Sequence, residues 1–169
     1  MRRLSAIVVA VILVASAVNP VSAKTLGEEQ AGLISTNCSS IKLQLKRIQK
    51  DDARNRVHLG AQYESISTNL MMNLNLRLVK NNMASAEIAE QQTTFMSERD
   101  RFKNDYIGYS QELEALINID CKSEPQKFYD KLKKTRRKRE DIDASIKRLN
   151  EILGRHHNAV NQLKESLKK

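Results

Sequence analysis

Glycine and proline are scarce in this chain of 169 residues, which contains five glycines and two prolines. Both residues interrupt regular structure, so their scarcity leaves few turns and favours long helices. The sequence also lacks a glycine-rich phosphate loop, a G-x-S-x-G segment and an H-E-x-x-H segment. We therefore predict that the chain is not an enzyme, has no catalytic residues and binds no cofactor.

A hydrophobic run long enough to cross a bilayer is missing as well. The N-terminal apolar stretch from Leu4 to Val18 is shorter than the roughly 20 residues that a transmembrane helix needs. It follows Arg2 and Arg3 and precedes small residues that end at Ala23, which is the layout of a secretory signal. We predict a cleavable signal peptide over residues 1–23; a membrane anchor is the competing interpretation. The mature chain is then secreted or extracytoplasmic and envelope-associated, not cytoplasmic, and has no transmembrane helix.

Only two cysteines occur, Cys38 and Cys121. Two thiols cannot complete a tetrahedral zinc site, and their spacing is not that of a C-x-x-C redox pair. In an exported chain they are expected to form a disulfide, with free thiols or a link between two chains as the alternatives. Two antiparallel helices bridged at these positions turn near residue 79.5, next to the turn-forming pair Asn81-Asn82. Such a hairpin is roughly 60 Å long, with the disulfide near its base.

What the sequence does contain is a heptad pattern. In the third predicted helix, mostly apolar residues recur at alternating steps of four and three, typical of a coiled-coil seam. The second helix continues the pattern with Phe95, Phe102, Tyr106 and Tyr109, which we interpret as core residues. The segment NLNLRLV at 73–79 alternates with period two and could form a strand, but its helical flanks favour the end of helix one. The seam of the third helix comprises Phe128, Leu132, Thr135, Arg139, Ile142, Ile146, Leu149, Leu153, His156, Val160, Leu163 and Leu167.

Charge alternates between the three helical segments. Residues 38–80 carry a net charge of +5, residues 84–120 carry −5 and residues 122–169 carry +8. An acidic helix between two basic ones favours an antiparallel up-down-up arrangement, because it places opposite charges at each interface. We predict an all-α, elongated three-helix coiled-coil bundle over residues 38–169, with helices at about 38–80, 84–120 and 124–167. Residues 24–37 are expected to form a flexible leader, and Ser123 to open a capping box with Gln126.

The mature chain is basic, since 27 Lys and Arg residues face 20 acidic ones once Arg2 and Arg3 are removed. Seven of the nine residues in KLKKTRRKR, positions 131–139 and here called the basic tract, are basic. This density predicts a surface for an anionic polymer, a membrane surface or an acidic protein. The candidate residues of this surface are Lys131, Lys133, Lys134, Arg136, Arg137 and Lys138.

The basic tract also has a structural interpretation. If helices one and three are parallel, Arg136 to Arg139 lie beside residues 51–54, and Asp52 and Arg139 become a candidate buried ion pair. Two interpretations of the basic tract therefore remain open: its charges are neutralised within the fold, or they form a functional surface. Nucleic acid is disfavoured because the tract lacks interleaved aromatic residues for base stacking. No metal site is predicted, since His156 and His157 point to different helix faces and His58 is expected roughly 20 Å away.

Three segments resemble parts of known sequences: RVHLGAQYESIST, NLNLRLVKNN and IDCKSEPQKFYDKL. They look like segments of uncharacterised exported helical proteins of small-genome, host-attached candidate-phylum bacteria. The resemblance implies a bacterial, secreted or envelope-associated product and carries no activity.

Three hypotheses about function follow. The first is an exported, non-enzymatic helical interaction protein that binds an anionic envelope or host-surface component through a basic helix face. The second is an extracytoplasmic holdase-type chaperone, for which off-seam Leu43, Val57, Met72, Leu76 and Leu78 offer apolar surface. The third is a structural or oligomeric surface component, which requires a homo-oligomer.

Overall fold

The computed structural model describes residues 26–168, so the predicted signal peptide over 1–23 lies outside the described residues. The described part of the chain is all-helical and contains no β-strand. A π-helical segment, Ile66–Met72, joins the α-helices Cys38–Ser65 and Asn73–Lys80 without a break. The α-helices are α1 (Glu28–Thr36), α2 (Cys38–Ser65), α3 (Asn73–Lys80), α4 (Ala86–Asn118) and α5 (Pro125–Ser166).

The disulfide joins the two ends that the sequence predicted. Cys38 begins α2 and Cys121 follows α4, and their Cα atoms lie 5.5 Å apart. Both cysteines are buried, and the described residues contain no free thiol. The intrachain disulfide is therefore confirmed, and the alternatives of free thiols or a link between chains are not what the structure shows.

The leader expected to be flexible is largely helical. Helix α1 covers Glu28–Thr36, and its end is tied to the region before α5 by a hydrogen bond that the Ser35 hydroxyl donates to the carbonyl of Lys122. The backbone N–H of Leu26 donates to the side chain of Gln126. The prediction of a flexible leader is corrected for these residues. Ile34 packs against the core, and this contact offsets the conformational entropy that the segment loses when it becomes ordered.

The turn after α3 lies where the Asn-Asn pair predicted it. Asn82 has φ 56°, a left-handed conformation that asparagine tolerates better than most residues. The N–H of Met83 donates to Leu78 and the N–H of Asn82 donates to Val79, which together form a Schellman motif. Segment 73–79 belongs to α3, so the strand interpretation is excluded.

The connection from α4 to α5 differs in detail from the predicted capping box. Ser123 donates its hydroxyl to Asp120 over 2.7 Å, so it does not cap α5. The N-cap is Glu124, whose side chain makes no capping hydrogen bond, and Pro125 occupies the first turn. Asp120 also accepts the N–H of Lys122, and these bonds lower the pKa of its carboxyl group. The aspartate therefore organises the turn that the serine was expected to organise.

Helices α4 and α5 form the main packing interface. The predicted aromatic residues Phe95, Phe102, Tyr106 and Tyr109 are all buried on α4. Tyr63 of α2 joins them edge-on, with its ring centroid 5.5 Å from that of Phe102. Successive rings meet at steep angles, the arrangement that aromatic quadrupoles favour. Their burial as core residues is confirmed.

The seam of α5 is rotated towards α4 relative to the prediction. One predicted row of seam residues is buried, and a second buried row, not predicted, faces α4. The first row is Phe128, Thr135, Ile142 and Leu149, and the second is Ser145, Ile152 and Ala159. Of the other predicted positions, Leu167 is exposed over 59% of its surface, and its place in the seam is corrected because α5 ends at Ser166. Leu132, Ile146 and Leu153 are only partly buried. These residues face α2, and the backbones of α2 and α5 stay apart while both pack on α4.

Candidate binding surfaces

Most of the basic tract is paired with carboxylates. Lys131 and Lys134 both reach Glu112 of α4, at 2.6 and 2.8 Å. These two lysines hold the pKa of the Glu112 carboxyl below its usual range. Within α5, Lys133 pairs with Asp130 at 2.8 Å and Lys138 with Asp141 at 3.5 Å. A large part of the tract therefore balances charge within the scaffold.

Arg136 and Arg137 are the exceptions in the tract. Both are exposed, and neither has a carboxylate oxygen within 4.0 Å among residues 26–168. Of the six candidate residues for an anionic partner, these two alone keep their charges uncompensated in the described structure.

Asp52 and Arg139 meet, but they do not form the buried pair that was expected. The Arg139 Nη2 atom lies 3.1 Å from Asp52 Oδ1, and the side chains are 52% and 13% exposed. The arginine is open to solvent because the gap between α2 and α5 exposes this seam position. The prediction is corrected to a half-open pair at the edge of that gap.

Asp52 also anchors α2 to the aromatic core. The Tyr109 hydroxyl donates to Asp52 Oδ2 over 2.6 Å, and burial together with this carboxylate raises the pKa of Tyr109. Burial and the same carboxylate raise the pKa of Tyr106 to about 12. The Arg56 guanidinium lies over the Tyr106 ring, 5.6 Å from its centroid, at the distance of a cation–π contact. Both tyrosines therefore stay neutral at physiological pH and serve as core residues.

A second basic surface, which sequence reasoning did not single out, lies on α2. It consists of four basic residues: Lys46, Arg47, Lys50 and Arg54. With 100° of rotation per residue they lie within an arc of about 100° on the side of the helix opposite the buried Leu45 and Tyr63. All four are exposed, and none has a carboxylate within 4.0 Å among the residues that the structure describes. The net charge of +5 over 38–80 was the available signal. We call this surface the α2 basic face.

Two exposed apolar residues share the α2 basic face. Leu43 and Val57 lie on the same side of the helix, with 53% and 65% of their surfaces exposed. Of the other off-seam residues, Leu76 is exposed, Met72 is half-buried and Leu78 is buried. Leu78 packs with Ile88 and Ala159 and is thus removed from the predicted apolar surface.

The gap between α2 and α5 holds two apolar clefts. One, of about 460 Å³, lies near the disulfide between α1, α2 and α5, above buried residues of α2, α4 and α5; we call it the basal cleft. The other, of about 660 Å³, lies between the π-helical segment and α5 and is lined by residues that include Met71, Leu153 and His156. Partly buried seam residues form the walls of both clefts.

The histidines do not come together as a metal site. His157 bonds to Asn161 at 3.0 Å, whereas the Nε2 atom of His156 is buried with no hydrogen-bond partner in the described structure. Within residues 26–168, no group of three or more His, Cys, Asp and Glu side chains is placed to hold a metal ion. None of the described helices combines the length and the apolar character needed to cross a membrane.

Comparisons of the chain with protein-family models, with curated proteins and with solved structures gave no match.

Proposed function

We propose that the chain is an exported, non-enzymatic helical protein that attaches peripherally to an anionic membrane surface through the α2 basic face. The observation that carries the proposal is the set of four exposed basic side chains on one side of α2 without carboxylate partners among the described residues. Export rests on the predicted signal at 1–23, and the disulfide supports an oxidising compartment.

The proposed architecture behind this surface is an antiparallel up-down-up bundle. Cross-helix partners support it: along α5, Thr135, Ser145 and Arg148 bond to Glu112, Asp105 and Glu98, so residue numbers rise on α5 as they fall on α4. The pair of Asp52 with Arg139 joins α2 to α5 at the level of Tyr109. In this arrangement α2 runs along the long axis of the bundle, so the α2 basic face lies on the side of the bundle.

A lipid surface fits the α2 basic face better than a soluble acidic partner does. The strength of peripheral membrane binding grows with the electrostatic attraction of Lys and Arg to anionic lipid and with the apolar area buried in the interface. Leu43 and Val57 supply that apolar component on the same side as the four basic residues. Each Lys or Arg near an anionic surface contributes about 1 kcal/mol, so the face contributes about 4 kcal/mol, roughly a thousandfold in affinity.

Vesicle co-sedimentation tests the proposal with the mature, oxidised protein. We expect binding to vesicles that contain anionic phospholipid, no binding to purely zwitterionic vesicles, and release when salt rises from about 0.1 M to about 1 M, because the Debye length falls about threefold. Retention that is unchanged by salt contradicts the proposal.

Matched variants locate the surface. Replacing Lys46, Arg47, Lys50 and Arg54 with Gln is expected to abolish vesicle binding. The control replaces Lys103, Lys122, Lys147 and Lys164 with Gln, which removes the same charge from exposed positions elsewhere. Equal loss in both variants indicates a response to net charge alone and contradicts a defined face.

The remaining charges of the basic tract are tested separately. The double variant Arg136→Gln, Arg137→Gln removes the tract's two uncompensated residues and is expected to keep most vesicle binding. If this variant loses binding while the α2 variant keeps it, the attachment surface is the tract and the assignment to α2 is wrong.

A holdase-type chaperone is the second candidate function. It is favoured by exposed apolar residues around α3, where Leu70, Leu76 and Val79 are each more than half exposed. An aggregation assay with an unfolded client tests it: protection that disappears in the variant Leu76→Asn, Val79→Asn supports the function, and absence of protection by the native protein removes it. Sedimentation of the same sample tests the homo-oligomer that the structural-component hypothesis requires.

A further inference from the structure

The basal cleft is an apolar groove with a buried floor. Its floor is made by Leu45, Leu113, Leu116 and Phe128, all of them buried core residues. Its walls are the partly buried side chains of Ile34, Ile41, Ile48 and Leu132. The volume of about 460 Å³ lies within the usual range of small-molecule sites, about 300 to 1,000 Å³.

The groove is open because the three helices do not close around it. In a regular three-stranded coiled coil, Ile41, Ile48 and Leu132 pack against each other across the seam. Here α2 and α5 remain apart, and α1 closes one end of the gap with Ile34. Apolar wall residues that face solvent lose the burial energy that their neighbours on α4 obtain. A bound apolar ligand restores that burial.

The end of the cleft away from the disulfide is charged. Arg136 and Arg139 of α5 line it. The charge of Arg139 is balanced by Asp52, whereas Arg136 has no carboxylate within 4.0 Å among residues 26–168. This end of the cleft therefore carries one uncompensated positive charge, that of Arg136. The Arg136 guanidinium can bind both oxygens of a carboxylate.

The cleft is also long. Its lining residues on α5 run from Phe128 to Arg139, which corresponds to about 17 Å along the helix axis. Apolar residues occupy the disulfide end, and the arginines occupy the other end. An extended apolar chain with one negative group at one end matches this distribution of shape and charge.

We infer that the basal cleft binds a long-chain fatty acid, with its alkyl chain between α2 and α5 and its carboxylate on Arg136. This site is separate from the α2 basic face, so it does not depend on membrane attachment.

Isothermal titration of the oxidised protein with a series from octanoate to palmitate, below micelle-forming concentrations, tests the site. We expect one molecule bound per chain and affinity that rises about fourfold for each added methylene group until the cleft is full. The alcohol of the same chain length is expected to bind at least tenfold more weakly than the acid, because it cannot form the charged contact. No binding of palmitate, or equal binding of acid and alcohol, overturns the inference.

Two neighbouring arginines provide a matched pair of variants. Arg136→Gln is expected to weaken fatty-acid binding at least tenfold and to leave binding of the alcohol unchanged. Arg137→Gln removes the same charge one position away, outside the cleft, and is expected to bind like the native protein. Leu132→Trp fills the groove and is expected to abolish binding of acid and alcohol alike.

The outcomes of these experiments are independent of vesicle binding. The α2 variant tests the membrane surface and leaves the cleft intact, whereas Leu132→Trp blocks the cleft and leaves the α2 basic face intact. Equal fatty-acid binding by the Arg136→Gln and Arg137→Gln proteins contradicts the assigned carboxylate site. Comparable urea midpoints for the variants establish that each is folded.

Discussion

His156 links the stability of the fold to pH at the scale of a single residue. Its ring lies between α5 and the π-helical segment, and burial together with the neighbouring His157 lowers its pKa. A histidine in the unfolded chain titrates near 6.5, so the unfolded state binds a proton more readily than the folded state. Stability from this residue is present above about pH 6.5 and is lost as pH falls below it.

We expect the urea concentration at the unfolding midpoint of the native protein to decrease as the pH is lowered from about 7.5 to about 5.5, the range where histidine titrates. His156→Gln is expected to reduce that fall. The control is His58→Gln, which changes an exposed histidine on α2 and is expected to keep the pH dependence of the native protein. If His156→Gln and the native protein lose the same stability over this range, the neutral buried state of His156 is contradicted.

Residue pairs were predictable where they follow from helix register alone. The spacing placed Asp52 beside Arg139, and the two groups are 3.1 Å apart. The exposure of Arg139 and the bond from Tyr109 to Asp52 were not predictable, because both depend on how α2 is rotated and on how far it stands from α5. The pairing of Glu112 with two lysines was missed for the same reason. Whether Glu112 faces α5 depends on how α4 is rotated about its own axis.

At the scale of elements, the disulfide is the strongest single constraint on the fold. It closes a loop with a sequence separation of 83 residues and holds the start of α2 against the end of α4. The chain-entropy model gives about 4.5 kcal/mol for a loop of this size. Reduction should therefore remove a large fraction of the stability of a domain that is marginally stable by nature.

Urea unfolding with and without a thiol reductant measures this effect. We expect reduction to lower the free energy of unfolding by about 4 to 5 kcal/mol. The double variant Cys38→Ser, Cys121→Ser is expected to match the reduced protein and to be insensitive to reductant. A native protein whose stability is unchanged by reductant, with complete reduction verified by mass, contradicts the predicted constraint.

Elements with a local signal were predictable, and elements without one were not. The turn at Asn81-Asn82 followed from asparagine's tolerance of left-handed backbone, and the disulfide midpoint agreed with it. The π-helical segment Ile66–Met72 has a composition that suits an α-helix equally well, so nothing in its residues marks the wider turn. Helix α1 is held by contacts with distant residues, such as the bond from Ser35 to Lys122 across 87 positions, which its own sequence does not reveal.

At the scale of the whole molecule, the packing of the described helices is asymmetric. The heptad pattern treats every seam as equivalent, yet α4 and α5 pack tightly while α2 and α5 stand apart. The polar segment 51–58 of α2 explains part of this difference, because apart from the half-buried Asp52 all of its residues are exposed. The polar composition of this segment does not reveal which neighbouring helix loses contact.

This asymmetry predicts that α2 opens locally while α4 and α5 stay folded. Segments with few buried apolar contacts exchange amide hydrogens through local opening, at lower free energy than the core. Between Ile48 and Leu59, α2 is held mainly by the bonds of Asp52 to Tyr109 and Arg139 and by Arg56 over Tyr106. Native-state hydrogen exchange should therefore show residues 49–60 exchanging faster than the buried stretches of α4 and α5.

Substitution of the anchor residue makes the prediction quantitative. Hydrogen bonds to a charged group contribute about 1.5 to 3 kcal/mol, so Asp52→Ala is expected to speed exchange in residues 49–60 by roughly tenfold or more. Exchange in the α4–α5 core should change less, because Glu112 and Glu98 continue to pair with α5. The control Asp51→Ala removes an adjacent, exposed carboxylate and is expected to leave exchange in this segment unchanged. Uniform acceleration throughout the described helices shows instead that the bundle opens as one cooperative unit, and that α2 is as firmly held as its neighbours.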